Sequence, residues 1–152
     1  MIHSELADEL ERHAFLEGLS HPHLRSLAGC ALHARFPAGN YLSREGARAT
    51  SFFLINAGHV AVEIHSASKG VVPIQTLGAG EVLGWSWLLA PYQWQFDARA
   101  IDDVEVFVLD ARGLRERCES HHELGYQLLL RLVRVMAERL AAARVQLLDL
   151  YE

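Results

Sequence analysis

Between residues 30 and 110 the chain repeats one pattern: a short run of alternating apolar and polar residues, then a turn marked by glycine or proline. Such runs cover Ala31–Phe36, Tyr41–Ser43, Ser51–Asn56, His59–His65, Val71–Leu77, Glu81–Leu83, Trp94–Ile101 and Val104–Leu109. A period of two places successive side chains on opposite faces, so each run reads as a β-strand. Turns fall at Pro37 to Asn40, Glu45-Gly46, Ala57-Gly58, Ser66 to Gly70 and Gly78 to Gly80. Short strands at this spacing specify an antiparallel sandwich or barrel.

Helical periodicity holds on both sides of this region. Over residues 4–17, Leu6, Leu10, Ala14 and Phe15 share one face, with Ser4 as a candidate cap, acids at Glu5, Asp8 and Glu9, and Gly18 as the stop. Ser20 can cap a second helix that has Pro22 just inside it and Leu24, Leu27 and Ala28 on its buried side. After the strands, Asp110 or Ala111 opens a short helix to about Cys118, and Ser120 is placed to cap a long one from His121 to the end. On that helix Leu129, Val133, Met136, Leu140, Ala143, Leu147 and Leu150 recur at steps of 4, 3, 4, 3, 4, 3. A heptad seam calls for a partner helix. It can instead pack on the chain's own strands, but a second row, Leu128, Leu132 and Val135, is available for that role. The Leu129–Leu150 helix is therefore expected to form a homodimer. One domain over residues 1–152 is expected, helical over 1–29, β over 30–110 and helical over 111–152.

At 152 residues the chain can bury a sizeable core without disulfides or metals. Cys30 and Cys118 lack disulfide or metal-site spacing and read as reduced thiols. A net charge of −5 argues against nucleic acid as partner, because phosphate neutralisation needs a concentrated basic face. No apolar run approaches the ~20 residues needed to span a bilayer, and the acidic N-terminus does not read as a signal peptide. A cytoplasmic protein with no membrane partner is expected.

The candidate site is Gly78 to Ala100, where the strand pattern stops for an aromatic-rich insert and resumes. Gly78, Gly80 and Gly84 mark turns or close backbone approach. Trp85, Ser86, Trp87 and Leu88 then form a short apolar segment whose first amides, if unpaired, suit an anion. Pro91 breaks the chain, and Tyr92, Trp94 and Phe96 alternate with Gln93, Gln95 and Asp97 as in a strand. All three tryptophans lie in this stretch. They can stack on a planar ligand, or they can fill a pocket that holds nothing.

Several motifs resemble the cyclic nucleotide-binding domain family. Phe15-Leu16-Glu17-Gly18-Leu19-Ser20 is similar to its opening, and Phe36-Pro37-Ala38-Gly39 followed by Arg44-Glu45-Gly46 to its first hairpin. The stretch from Phe52 to Val60 resembles its two strands joined at a glycine, and Leu77 to Gly84 its approach to the pocket. The resemblance implies an antiparallel jelly roll of mixed α+β, mainly β class, with a long C-terminal dimerisation helix. It also implies a regulatory, non-catalytic role. The implied ligand is a cyclic nucleotide or another small anionic or planar molecule.

The pocket departs from the family pattern. Trp85 stands where family members carry an acid for the ribose hydroxyl, and Trp94 and Gln95 stand where they carry a phosphate-binding arginine and a small residue. Tryptophan offers one neutral donor where arginine offers a charged fork. Arg99 is the next cation along, although five residues of strand place it on the opposite face from Trp94. On the long helix Ala143 and Arg144 match the hydroxyl residues with which bacterial cyclic-AMP receptor proteins touch the purine, which makes Arg144 a replacement cation. The expected ligand-binding set is thus Gly84, Trp85, Ser86, Trp87, Leu88, Trp94, Gln95, Phe96, Arg99 and Arg144. The string from Gly84 to Trp87 with that from Phe96 to Ala100 also resembles single-domain bacterial members encoded beside redox-enzyme subunits. That likeness suggests a ligand-free interaction subunit as the alternative. The sequence ends at Glu152 without the helix-turn-helix of the family's transcription factors, so no DNA binding is expected.

A metal-dependent barrel enzyme would need histidines and a carboxylate converging on one ion. His59 and His65 lie six residues apart on one predicted strand and do not converge, and His21, His23, His121 and His122 fall near helix starts. Haem would need an accessible His or Cys at the pocket, for which Cys30 and His33 are the candidates. No metal site and no enzyme activity are expected.

Overall fold

The computed structural model describes the backbone of residues 2–151 and the side chains of residues 5–151. Three layers stack: helices, a first antiparallel sheet, and a second antiparallel sheet. The chain enters through α1 (Ile2–Glu11), a single 3-10 turn (Ala14–Leu16) and α2 (His21–Ala28). It then forms β1 (Ala31–Phe36), β2 (Tyr41–Ser43), β3 (Ser51–Ala57), β4 (Val60–Ser66), β5 (Gly70–Leu77), β6 (Val82–Leu83), β7 (Asp97–Ala100) and β8 (Val104–Asp110). Helices α3 (Ala111–Ser120) and α4 (His122–Tyr151) follow. The sheets run in the orders β1-β8-β3-β6 and β2-β7-β4-β5, four strands each. This is a jelly-roll sandwich of two open sheets, as the strand spacing allowed, rather than a closed barrel.

Strand β3 shows why the layers form in this order. Its alternation sends Phe52 and Leu54 to the helical side and Phe53 and Ile55 between the sheets, so it is buried on both faces. Two apolar clusters result. One joins α1, α2, α3 and the first half of α4 to the outer face of the first sheet through Leu10, Leu24, Leu114, Leu128 and Leu132. The other lies between the sheets and contains Val60, Val62, Leu77, Leu83, Val104 and Val106.

Local signals held at several boundaries. The Ser20 side chain accepts from His23 N–H, Pro22 sits in the first turn, and Asp110 caps α3 by accepting from Gly113 N–H. Other boundaries moved. The first helix ends at Glu11 and a separate turn caps on His13, whose Nδ1 accepts from Phe15 N–H (3.2 Å). Ser4 lies inside α1 rather than at its start, and its side chain is outside the described residues. Ser120 ends α3, His121 makes the corner, and α4 starts at His122 without the expected serine cap.

On α4 the inner row Leu128, Leu132 and Val135 packs on the helical-side core. Leu129, Val133, Met136, Leu140, Leu147 and Leu150 of the heptad seam are all exposed, Leu140 at 54%, and Ala143, Leu147 and Leu150 line an open cleft with Ile74 and Gln75 of β5. Among the described residues no helix is long and apolar enough to cross a membrane.

Candidate functional site

The insert runs from the end of β6 in the first sheet to the start of β7 in the second. Gly84 opens it at φ +99°, a conformation that side-chain-bearing residues rarely adopt. Its missing side chain also makes room, since a Cβ there would lie 2.6 Å from Cζ3 of Trp94. Residues 85–88 form a turn closed by Leu88 N–H to Trp85 O (3.0 Å), not a helix with a free amide rim. Residues 90–96 are turns and bends, so the strand expected from Trp94 starts only at Asp97. The alternation of buried Trp94 with exposed Gln93 and Gln95 is real, but an irregular path produces it, with Tyr92 at φ +57°.

The three tryptophans do not share a pocket. Trp87 is 1% exposed and enters the helical-side core beside Phe52, with ring centroids 5.3 Å apart. Trp94 is 4% exposed and enters the core between the sheets, stacked on Phe53 at 6.1 Å and tilted against Phe96 at 5.9 Å. Trp85 is half-buried, Leu88 packs at the edge of the helical-side core, and Gln95 is exposed. Ser86 Oγ and Trp87 Nε1 are buried without a hydrogen-bond partner among the described residues. Each such orphan costs about 1–3 kcal/mol.

Neighbouring segments pin the insert. The loop after β2 meets it through Gly46 N–H to Trp94 O (2.9 Å), Trp94 N–H to Ala47 O (2.9 Å) and Ala49 N–H to Tyr92 O (2.7 Å). From α3, Arg115 donates Nη1–H to Trp87 O (2.7 Å) and lays its guanidinium 4.2 Å from the Tyr92 ring centroid. At the far end Asp97, 2% exposed, accepts from Glu45 N–H (2.8 Å) and His65 Nε2–H (2.6 Å), with Arg44 Nε at 3.5 Å. Burial pushes the Asp97 carboxyl up, but those donors and the Arg44 charge outweigh it and hold the group below the usual carboxylate range.

Neither expected cation joins the tryptophans. Arg99 lies on the outer face of the second sheet and is held by Glu63 through two bonds (3.1 and 3.3 Å). Arg144 is exposed in the last turns of α4. The basic residue that does turn inward is Arg139, which donates to Val82 O and lines a cavity of about 430 Å³ between α4, β6 and the 3-10 turn. Burial lowers its pKa, with Glu81 and Glu138 opposing. Its signal in the sequence was the inner row of α4, where 128, 132 and 135 continue to 139 at the same steps. None of the ten expected site residues lines that cavity.

The metal and haem candidates disperse as well. His59 pairs with Asp102 (2.8 Å) and His65 with Asp97 (2.6 Å), on separate partners. His33 pairs with Glu9 (2.6 Å), and Cys30 bonds Leu27 O at the α2–β1 junction, where burial pushes its thiol up to about 11. Asp8, Glu11 and His21 bring one ligand atom each within 4.8 Å, all on exposed side chains. Sequence reasoning missed His13, buried and bonded through Nε2 to Ile55 O (2.8 Å), where burial lowers its pKa. It ties the N-terminal turn to β3.

A two-sheet jelly roll with a glycine-opened insert between β6 and β7 and a long helix laid against it is the fold of a regulatory type of domain. The family model for the cyclic nucleotide-binding domain matches residues 33–121, and the chain belongs to that family. No curated protein sequence matches the chain. Among solved structures, it is similar to a protein of Geobacter metallireducens described as cyclic nucleotide-binding, with 25% identity, TM-score 0.79, and coverage of 88% of this chain and 97% of that one. A cyclic nucleotide-binding domain from Methylobacillus flagellatus shares the fold at 21% identity and TM-score 0.80, covering 97% of this chain and 83% of that one. So does the regulatory subunit of a cAMP-independent protein kinase A from Trypanosoma brucei, at 22% identity and TM-score 0.77, covering 95% and 52%.

Proposed function

We propose that this chain is a non-catalytic regulatory module of its family, with an altered pocket that does not take cyclic AMP or cyclic GMP in the usual way. The observation that carries this reading is the burial of Trp94, which stands where the family resemblance places the phosphate-binding arginine. Its indole lies against Gly84 and stacks on Phe53 inside the core between the sheets. A phosphate there would have to displace a core side chain and would find a neutral indole in place of the family's arginine, and losing a buried charge-assisted contact costs about 2–5 kcal/mol. Arg99 is already held by Glu63. A space of about 430 Å³ that could take a small anionic or planar ligand lies under α4, beside Arg139. The exposed heptad seam supports a homodimer through α4, and output through that dimer or a protein partner belongs to the same reading.

The test is calorimetric titration of the protein and of Trp94→Arg with cyclic AMP and cyclic GMP. The similar trypanosome subunit is described as cAMP-independent, and its form bound to cAMP carries substitutions that introduce an arginine followed by an alanine. Wild type should give no saturable heat at micromolar nucleotide. Saturable micromolar binding to wild type would overturn the altered-pocket reading and establish ordinary cyclic-nucleotide sensing. Binding gained by Trp94→Arg alone would locate the loss of affinity at this one position.

A further inference from the structure

Four elements meet where the loop after β2, the insert, the end of β8 and the start of α3 come together. Arg48, Arg112 and Arg115 line a cleft of about 200 Å³ there, with Thr50, Tyr92 and Asp110 as its other walls. Among the described residues neither Arg48 nor Arg115 is ion-paired to a carboxylate, and Arg112 holds only the exposed Glu116 (3.3 Å). Asp110 is the one acid in the lining, and its Oδ2 accepts from Gly113 N–H (2.8 Å) as the helix cap. With three arginines against Asp110 in the lining and Glu116 beside Arg112, the cleft carries an excess of positive charge. The helix terminus itself adds little, since Ala111 N–H already donates to Thr50 O (3.0 Å).

We propose that this cleft binds a small oxyanion, a phosphate group either free or on a small metabolite, gripped by Arg48, Arg112 and Arg115. Guanidinium forks match phosphate oxygens in pairs, and three of them favour a multiply charged tetrahedral anion over a single carboxylate. The volume is below the roughly 300–1,000 Å³ of sites that enclose drug-sized ligands, which suits one phosphate group and not a nucleotide. The site also touches the insert at two places. Arg115 holds Trp87 O and stacks on Tyr92, and Arg48 bridges to Gln93 through the backbone. An anion that fixes both arginines clamps the insert to α3, so occupancy is felt at Trp87.

The test is calorimetry of the full chain with inorganic phosphate and with glycerol 3-phosphate at constant ionic strength, with tryptophan fluorescence followed in parallel. Saturable one-to-one binding is expected, weakened about 10-fold or more in the double variant Arg48→Gln/Arg112→Gln. Both side chains are at the surface, so the urea midpoint of the double variant should match wild type. Equal affinities for the two probes assign the free phosphate group, and tighter binding of the ester assigns a phosphorylated metabolite. Unchanged affinity in the double variant, or no saturable binding of either probe with a dissociation constant below about 1 mM, overturns the proposal. No variant in this test alters Trp94 and no cyclic nucleotide is used, so its failure leaves the pocket reading standing.

Discussion

Replacing Gly84 with alanine makes the role of Trp94 measurable as an energy. The backbone at φ +99° penalises any side chain, and the new Cβ would stand 2.6 and 2.8 Å from Cζ3 and Cη2 of the indole. Carbon atoms prefer about 3.5–4.0 Å, so the ring must move. The left-handed conformation costs about 1–2 kcal/mol and overpacking a core about 1–3 kcal/mol. Gly84→Ala should therefore destabilise by about 2–5 kcal/mol, a large part of the 5–15 kcal/mol typical of a domain. Only the overpacking depends on the indole. In Trp94→Phe the atoms Cζ3 and Cη2 are gone, so adding Gly84→Ala should cost only the backbone part, about 1–2 kcal/mol. A double-mutant cycle by urea unfolding, followed by far-UV circular dichroism with m-values checked, should give a coupling of about 1–3 kcal/mol in the relieving direction. Additivity within about 0.5 kcal/mol would refute the reasoning, because it would place the indole away from Gly84.

Two further perturbations address the rest of the molecule. Asp97 titrates below its unfolded value near 3.9, so its contribution to stability is present above that pH and is lost as pH falls through the lower folded value. Asp97→Asn should be less stable than wild type by about 1–3 kcal/mol at pH 7, with the gap closing as pH falls through the lowered folded value, and a gap independent of pH in urea melts would remove the carboxylate from the account. Leu140→Glu places a carboxylate in the α4 seam of both copies, at a cost of about 3 kcal/mol or more, roughly hundredfold in dissociation. Sedimentation should show a wild-type dimer and a folded monomeric variant, and a monomeric wild type at micromolar concentration would sink the dimer.

Much of the fold was legible because its signals are local. The strand at Ser51–Asn56, the Ser20 cap, the start of α3 at Asp110 or Ala111 and the inner row of α4 each depend on residues a few positions apart, and all appear as read. The site was less legible because it depends on which layer a side chain enters. The alternation of Tyr92, Trp94 and Phe96 reads as a strand, yet a turn at Tyr92 yields the same burial order with no ladder. Counting five residues from Trp94 correctly set Arg99 apart from it, but could not show that Glu63 on β4 would hold it. Arg144 fell short for a different reason. It lies five residues past Arg139, where residues 141–151 are all exposed and its neighbours Ala143, Gln146 and Leu147 are among the α4 side chains that line a cleft with β5.

The division of Trp87 and Trp94 between two cores bears on how such a module can switch. The insert leaves the first sheet, anchors one ring among the helices and the other between the sheets, and then joins the second sheet. Any shift of the insert must therefore disturb both cores together, which makes the response two-state rather than gradual. Burial of Trp87 holds the observed arrangement, and removing such a side chain typically costs about 3–5 kcal/mol. Against it stand the orphaned Ser86 Oγ and Trp87 Nε1, which together cost about 2–6 kcal/mol. An alternative arrangement that satisfied both groups would recover that cost but would give up the burial of Trp94 between the sheets as well, so a ligand that favoured it would have to supply the difference through contacts made only there.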